Sequence, residues 1–162
     1  MKPTEEEWNI VSDIGTKYIL EEDKEIQKRL KRKYFKILHK LMKKYGDDAS
    51  ILASLADQYN YNKSAIKLLE KAYKIAQKEN DMQNLSYISS SLSLRYLNSK
   101  PVNWQQGKFW VKRLENDLKN FQDDIVKRQL HDCYNILRNN IKRKKEERQY
   151  TKRIAISSKD EY

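Results

Sequence analysis

Apolar residues recur every three to four positions along most of the chain, with polar residues between them. This spacing is typical of amphipathic α-helices rather than of strands, in which apolar and polar residues alternate. Glycine and proline are rare, and Gly46 and Pro101 lie near the ends of apolar-periodic stretches. The pattern predicts an all-α fold of about seven antiparallel helices, with no sheet unless a short C-terminal element forms one.

The first two helices are predicted over about 4–20 and 23–45. Thr4 followed by Glu7 has the spacing of a capping box, in which each residue caps the other's backbone. Apolar residues then follow at helical spacing, namely Trp8, Val11, Ile14, Tyr18 and Ile19. Several acids precede the second helix, where they suit the positive end of its dipole. Gly46 is expected to end that helix.

Five further helices are predicted from the same periodicity, over about 51–59, 65–76, 81–96, 104–118 and 123–141. The turn Asn60-Tyr61-Asn62 is short, which favours an antiparallel hairpin between the third and fourth helices. After Arg143 the apolar period is lost and the β-prone segment AISS follows. We therefore predict one helical domain over 1–144 and a basic C-terminal extension over 145–162.

The hairpin over 51–76 carries residues of a known repeat. Its first helix has Leu55, Ala56 and Tyr59, and its second has Ala65, Leu69 and Ala72. In these positions the chain resembles the tetratricopeptide repeat family, over roughly 51–118. A second, poorer copy comprises Tyr96, Trp104, Gly107, Val111 and Leu114. The resemblance implies a stack of antiparallel helix pairs that binds other proteins. The short first turn, the long second turn and the missing terminal proline depart from the family pattern.

Positive charge is concentrated in two blocks of the chain. The formal net charge is +11. Residues 26–45 contain nine lysines and arginines and no acid, and residues 138–153 contain eight bases and two acids. Residues 1–25 are acidic instead. Such blocks attract nucleic acid, anionic lipid or an acidic protein surface, and the charge alone does not choose among them.

Placed on a helical wheel, 26–45 separates into two sides. The apolar side comprises Ile26, Leu30, Tyr34, Ile37, Leu38, Leu41 and Tyr45. The other side carries a basic ladder at four-residue spacing, namely Lys28, Arg32, Lys36, Lys40 and Lys44. Neighbouring like charges at this spacing destabilise a helix by a few tenths of a kcal/mol each. Either the acidic N-terminal segment relieves this repulsion, or the face binds another molecule.

The candidate partner-binding residues are Lys28, Arg29, Arg32, Lys36, Lys40, Lys44, Arg143 and Lys144. Nucleic acid is one alternative partner, held by its phosphates through 26–45 and 138–153. Nucleobases would stack only on Phe35. This ring alone could turn toward the basic face, because Tyr34 belongs to the apolar side. A helix lying on a membrane surface is a further alternative, although the tyrosines favour burial. The longest apolar runs are too short to span a bilayer, and no secretion signal is evident at the start.

The sequence contains little that suggests catalysis, and we predict no catalytic, cofactor-binding or metal-binding residues. His131 and Cys133 are two residues apart and point to different sides of a helix, so they do not form a local nucleophile and base pair. Cys133 is expected to be a small core residue. Arg32 and His39 resemble the active motif of some all-helical ribonucleases, but two residues within so basic a run fit chance equally well. The single cysteine fits a reducing cytoplasm.

These observations favour a non-enzymatic, cytoplasmic protein-binding module. In size and general character the chain resembles the small helical immunity proteins that bacteria use against contact-delivered toxins, with no shared motif behind the likeness. The resemblance implies a stoichiometric inhibitor that grips an acidic surface of a cognate toxin and occludes its active surface. The competing prediction is a nucleic-acid-associated protein.

Overall fold

The computed structural model describes residues 2–59 and 63–157, and side chains within these ranges as far as Lys145. The described residues form seven α-helices and no strand, which confirms the all-α prediction. The helices are α1 (Glu5–Leu20), α2 (Lys24–Tyr45), α3 (Ala49–Ala56), α4 (Lys63–Glu79), α5 (Met82–Leu97), α6 (Trp104–Asn120) and α7 (Asp124–Ser157). The predicted turn Asn60-Tyr61-Asn62 lies outside the described residues.

Short polar side chains cap the helices where the sequence predicts. Thr4 and Glu7 form the capping box of α1, with the Thr4 amide donating to the Glu7 carboxylate over 3.0 Å. Asp23, Asp48 and Asp81 accept hydrogen bonds from the first backbone amides of α2, α3 and α5. Each cap satisfies donors that have no partner inside the helix, so the helix starts are encoded locally.

The helices form a linear array of hairpins. The helices α1 and α2 pack together, α2 also contacts α3, and α3 packs on α4. Next, α5 contacts both α3 and α4 and packs most extensively on α6, and α7 closes the array against α5 and α6. Each hairpin therefore touches its neighbours in sequence, as in repeat proteins whose stability comes from local interfaces.

The hydrophobic core is a series of clusters between successive hairpins. The largest is formed by α3, α4 and α5, and includes the fully buried Leu52, Leu69 and Leu92. A second cluster joins α1 and α2 to α3, and two smaller ones lie under α7. At most of the positions that carry the repeat resemblance the side chains are buried, among them Leu55, Ala56, Ala65, Leu69 and Ala72. This burial explains the residue types there, while the family assignment stays a prediction.

Close approach of the helices depends on two glycines. A Cβ at Gly107 of α6 would lie 2.5 Å from Cδ2 of Leu97 in α5, and a Cβ at Gly15 of α1 would lie 3.1 Å from Cε2 of Tyr34 in α2. Such contacts are too short for any residue with a side chain unless its neighbours move. Gly15 and Gly107 are therefore packing positions within two hairpins.

The structure departs from the sequence prediction at three places. Ile19 was assigned to the apolar side of the first helix, but its side chain is 73% exposed near the end of α1. The β-prone segment AISS is helical as far as Ser157, and Ser158 lies outside the described residues. The predicted division between 144 and 145 falls inside α7, which runs across it without a break. The helix continues here beyond the last residue of the apolar period. Periodicity alone does not reveal this continuation.

Candidate functional site

Helix α2 has one buried side and one charged side, as the wheel predicts. Leu38 and Leu41 are buried against α1 and α3, and Tyr34 packs over Gly15. Phe35 is only 5% exposed and meets the Tyr34 ring edge-on, with ring centroids 5.0 Å apart. The prediction that Phe35 could turn toward the basic face is wrong, because the ring fills the core. Ile26 is 45% exposed, so the apolar side is buried only from Leu30 onward.

The basic ladder lies on the opposite, solvent-exposed side of α2. All five of its members are exposed, and so is Arg29 beside it. Residues four apart on a helix are separated by about 6 Å along the axis. The ladder is therefore a row of like charges about 24 Å long, from Lys28 to Lys44.

The acidic N-terminal segment neutralises only the ends of this row. Lys44 donates to Glu7 of α1 over 2.8 Å, and the Tyr45 hydroxyl donates to the same carboxylate over 2.6 Å. These two hydrogen bonds, Lys44 first, lower the pKa of Glu7 to about 2, and the same contact raises the pKa of Lys44. At the other end, Lys28 lies 3.9 Å from Glu25 on its own helix.

The centre of the row has no such relief. In the part of the chain that the structure describes, Arg29, Arg32, Lys36 and Lys40 form no salt bridge with any acid. We call Arg32, Lys36 and Lys40 the central ladder. Its members repel one another at four-residue spacing, and no acid of α1 lies within ion-pair distance of them. Within the described residues, the acidic N-terminal segment therefore forms no ion pair with the central ladder.

The two basic blocks of the sequence do not come together. Arg143 and Lys144 are exposed on α7. Across the described residues, α7 contacts α5 and α6, whereas α2 contacts α1 and α3. Among the described residues, α2 and α7 are therefore not in contact with each other. The predicted site residues divide into a group on α2 and a separate pair on α7.

The other bases cluster by position in the hairpins. The second helices α2, α4 and α6 contain ten, five and four bases, against one, two and two acids. The first helices α1, α3 and α5 together contain two bases and four acids. Positive charge is therefore a property of the second helix of each hairpin, and α2 carries the most.

Five tyrosines donate hydrogen bonds to carboxylates in the described part of the chain. The pairs are Tyr45 with Glu7, Tyr73 with Asp117, Tyr87 with Asp123, Tyr96 with Glu70, and Tyr134 with Glu115. Their partners are 19 to 44 residues apart, so each bond joins two helices or a helix and the cap of another. Sequence reasoning missed these pairs. The number of tyrosines was the only signal, since the pairing depends on tertiary structure.

Of the residues considered for catalysis, Cys133 is buried, whereas His131, Arg32 and His39 are exposed. Cys133 is fully buried, and burial raises the pKa of its thiol to about 12, so the thiolate form is scarce at neutral pH. Its prediction as a core residue is confirmed. His131 is exposed, with Nδ1 3.2 Å from the Asn135 amide. Arg32 and His39 are both exposed on α2. Within 2–59 and 63–157, no three His, Cys, Asp or Glu side chains group in a way that could hold a metal ion.

None of the described helices combines the length and the apolar character needed to cross a bilayer. The chain matches no protein-family model, no curated protein and no solved structure.

Proposed function

We propose that this chain is a non-enzymatic binding protein that uses the basic face of α2 to hold an acidic surface of another protein. Its action would be stoichiometric: the array covers the active surface of its partner, as an immunity protein covers a toxin. A cytoplasmic setting belongs to the same proposal and rests on the use of a single, buried cysteine.

The observation that carries the proposal is the unneutralised central ladder. Each pair of like charges at i and i+4 destabilises a helix by a few tenths of a kcal/mol, and one glutamate between them would remove the penalty. Acids are abundant only a few residues upstream, and Glu7 shows that α1 can reach the end of the ladder. A row of bases that is exposed, ordered on a helix and free of acids is what an acidic partner would require.

The buried aromatic residues favour a protein over single-stranded nucleic acid. Proteins bind single-stranded nucleic acid by stacking its nucleobases on exposed aromatic rings beside a basic groove. Tyr34 and Phe35 lie on the core side of α2, and neither is fully exposed. Phosphate contacts alone would give unspecific binding that falls steeply with salt. Nucleic acid is therefore the competing outcome in the experiment below.

Charge would act mainly on the rate of capture. Complementary potentials speed the encounter of two proteins, whereas close, desolvated charge pairs slow their separation. Because Leu38 and Leu41 are buried, the backbone of α2 is ordered before binding, and the loss of order on binding falls mainly on the exposed lysine and arginine side chains.

The decisive variant reverses the central ladder, with Arg32, Lys36 and Lys40 each changed to Glu. The matched control reverses three exposed lysines on other elements, Lys63, Lys100 and Lys119, and so changes the net charge equally. The wild-type chain is used to capture its partner from the cytosol of its source, with nuclease and at moderate salt. Affinity of the purified partner for all three chains is then measured by calorimetry.

We expect one protein bound in a 1:1 ratio, with affinity weakened about a hundredfold or more by the ladder reversal and little by the control. Retention of nucleic acid that is lost on nuclease treatment would overturn the proposal in favour of the competing function. If both variants bind the partner as tightly as the wild-type chain does, the basic face takes no part in binding.

A further inference from the structure

A groove lies between α4 and α6, with a volume of about 290 Å³. Each helix contributes four residues at the spacing i, i+3, i+4 and i+7, which is one continuous face of a helix. The lining residues are Glu70, Tyr73, Lys74 and Gln77 from α4, and Gln106, Phe109, Trp110 and Arg113 from α6. The groove is at the small end of the range for ligand pockets, so it fits one or two side chains rather than a cofactor.

The apolar part of the groove is aromatic. Tyr73 and Trp110 are buried and meet edge-on, with ring centroids 5.0 Å apart. Phe109 contacts Trp110 in the same manner at 5.3 Å, yet it is 49% exposed. A large ring half exposed beside two buried ones offers a site for another apolar side chain.

Besides Gln77 and Gln106, whose amides both donate and accept, the groove presents basic side chains and one indole N–H. The Arg113 guanidinium lies over the Phe109 ring, 5.5 Å from its centroid. Lys74 is exposed and forms no salt bridge within the described residues. The indole Nε1 of Trp110 is buried and has no hydrogen-bond partner in the described part of the chain. A buried donor without an acceptor is costly, and a bound acceptor would remove that cost.

The acids near the groove are all engaged within the chain. Glu70 accepts a hydrogen bond from the hydroxyl of Tyr96, and Asp117 accepts one from the hydroxyl of Tyr73. The other acids of the two helices are Glu79, paired with Lys2, and Glu115, which accepts the hydroxyl of Tyr134. Of the nine bases of α4 and α6, Lys71 pairs with Asp47, and the other eight form no salt bridge within the described residues.

We propose that this groove binds an acidic segment of the partner protein, one that presents an apolar side chain next to a carboxylate. The apolar side chain packs on Phe109, while the carboxylate accepts from Lys74 and Arg113. The inference rests on the proposed function and extends it, because it assigns the partner a second contact in addition to the ladder.

The test uses the peptide acetyl-Glu-Phe-Asp-Glu-amide as the probe and its uncharged counterpart acetyl-Gln-Phe-Asn-Gln-amide as the matched peptide. The chain has three tryptophans, so their indole N–H signals can be followed by two-dimensional NMR. Trp8→Phe and Trp104→Phe assign two of the signals without altering the groove. Arg113→Gln is the test variant, and Lys112→Gln, exposed on α6 and outside the lining, is its control.

We expect the acidic peptide to shift the Trp110 signal in a saturable manner and more than the other two. The uncharged peptide and the Arg113→Gln variant should each weaken binding at least fivefold, whereas Lys112→Gln should change it less than twofold. Equal shifts at all three indoles, equal binding of both peptides, or unchanged binding by Arg113→Gln would each overturn the groove assignment.

The two proposals fail separately. If the ladder reversal abolishes capture of the partner but the peptide does not bind at Trp110, only the groove assignment is wrong. If the peptide binds at Trp110 but partner capture does not depend on the ladder, the proposed use of α2 is wrong and the groove assignment stands.

Discussion

Helices α2 and α5 differ in how they use charge. Helix α2 contains ten bases and one acid in 22 residues, whereas Arg95 is the single charged residue among the 16 residues of α5. Helix α2 contacts two helices near one end of the array, and α5 contacts α3, α4, α6 and α7. Over the described residues, the helix with four neighbours thus has one charged residue, and the helix with two neighbours has eleven.

The difference shows when a cation serves the fold and when it is left for a partner. The side chain of Arg95 is only 12% exposed. Its guanidinium donates to the carbonyl oxygens of Tyr59 and Ala56 and pairs with Asp57 at 3.1 Å. It therefore satisfies carbonyls at the C-terminal end of α3, which no longer have partners inside that helix. In the described part of the chain, the central ladder of α2 forms no salt bridge, so its charges are available.

Truncation of a core side chain should separate the two helices most clearly. Leu92 of α5 is fully buried in the largest cluster, and Leu30 of α2 is only half buried. We expect Leu92→Ala to lower the free energy of unfolding by about 3 kcal/mol, and Leu30→Ala by about 1 kcal/mol. Urea denaturation measures both. Equal losses would contradict the view that α5 is the main structural helix.

Removal of one tyrosine hydroxyl should lower stability less than the core truncation does, and it should change the pH dependence of stability. Burial, followed by the nearby Asp117 carboxylate, raises the pKa of Tyr73 from 10.0 to about 12. A raised pKa means that this stabilisation is complete below pH 10 and is lost as the pH rises toward 12. We expect Tyr73→Phe to cost about 1–3 kcal/mol at pH 7, because Asp117 loses a donor.

Denaturation at pH 7 and pH 11 tests this prediction. The wild-type chain should lose more stability between these values than Tyr73→Phe does. Tyr18→Phe is the control, since the Tyr18 hydroxyl has no hydrogen-bond partner among the described residues and its ring stacks on Tyr34. An unchanged alkaline loss in Tyr73→Phe would show that the hydrogen bond to Asp117 contributes nothing.

The smallest expected effect on stability has the opposite sign. Lys36→Glu places an acid between Arg32 and Lys40, so two repulsive pairs become attractive and the helix should gain about 1 kcal/mol. The same change should weaken binding of the acidic partner. Urea denaturation and calorimetry measure the two effects. A chain that becomes more stable and binds equally well would show that the ladder is only a solvated face.

The all-α fold and most helix starts could be predicted because the signals are local. A capping side chain and the amides that it accepts from lie two or three residues apart, as Asp23 and Asp48 show. The prediction was wrong at Phe35 and Ile19, since residues at the edge of an apolar stripe turn inward or outward according to the neighbouring helix. The helices that pack against Phe35 are separate elements of the sequence. The periodicity of α2 alone therefore does not show which way the ring turns.

The residue types of the candidate site could be predicted from the sequence, but the ion pairs that these residues form could not. The ladder could be read from the four-residue spacing, whereas the contact of Lys44 with Glu7 joins residues 37 positions apart. The α4 and α6 groove was not anticipated at all. Its two faces are separate amphipathic patterns in the sequence, and only the hairpin array brings them together.

The linear order of contacts also bears on how the molecule opens. Helix α1 packs only on α2 among the described elements, and that hairpin reaches the rest of the core mainly through α3. The amides of α1 and α2 should therefore exchange with solvent through a local opening of the hairpin, at a lower free energy than those of α5. The proposed binding face thus belongs to the least anchored cooperative unit, and an acidic partner that holds the ladder would slow its hydrogen exchange by mass action.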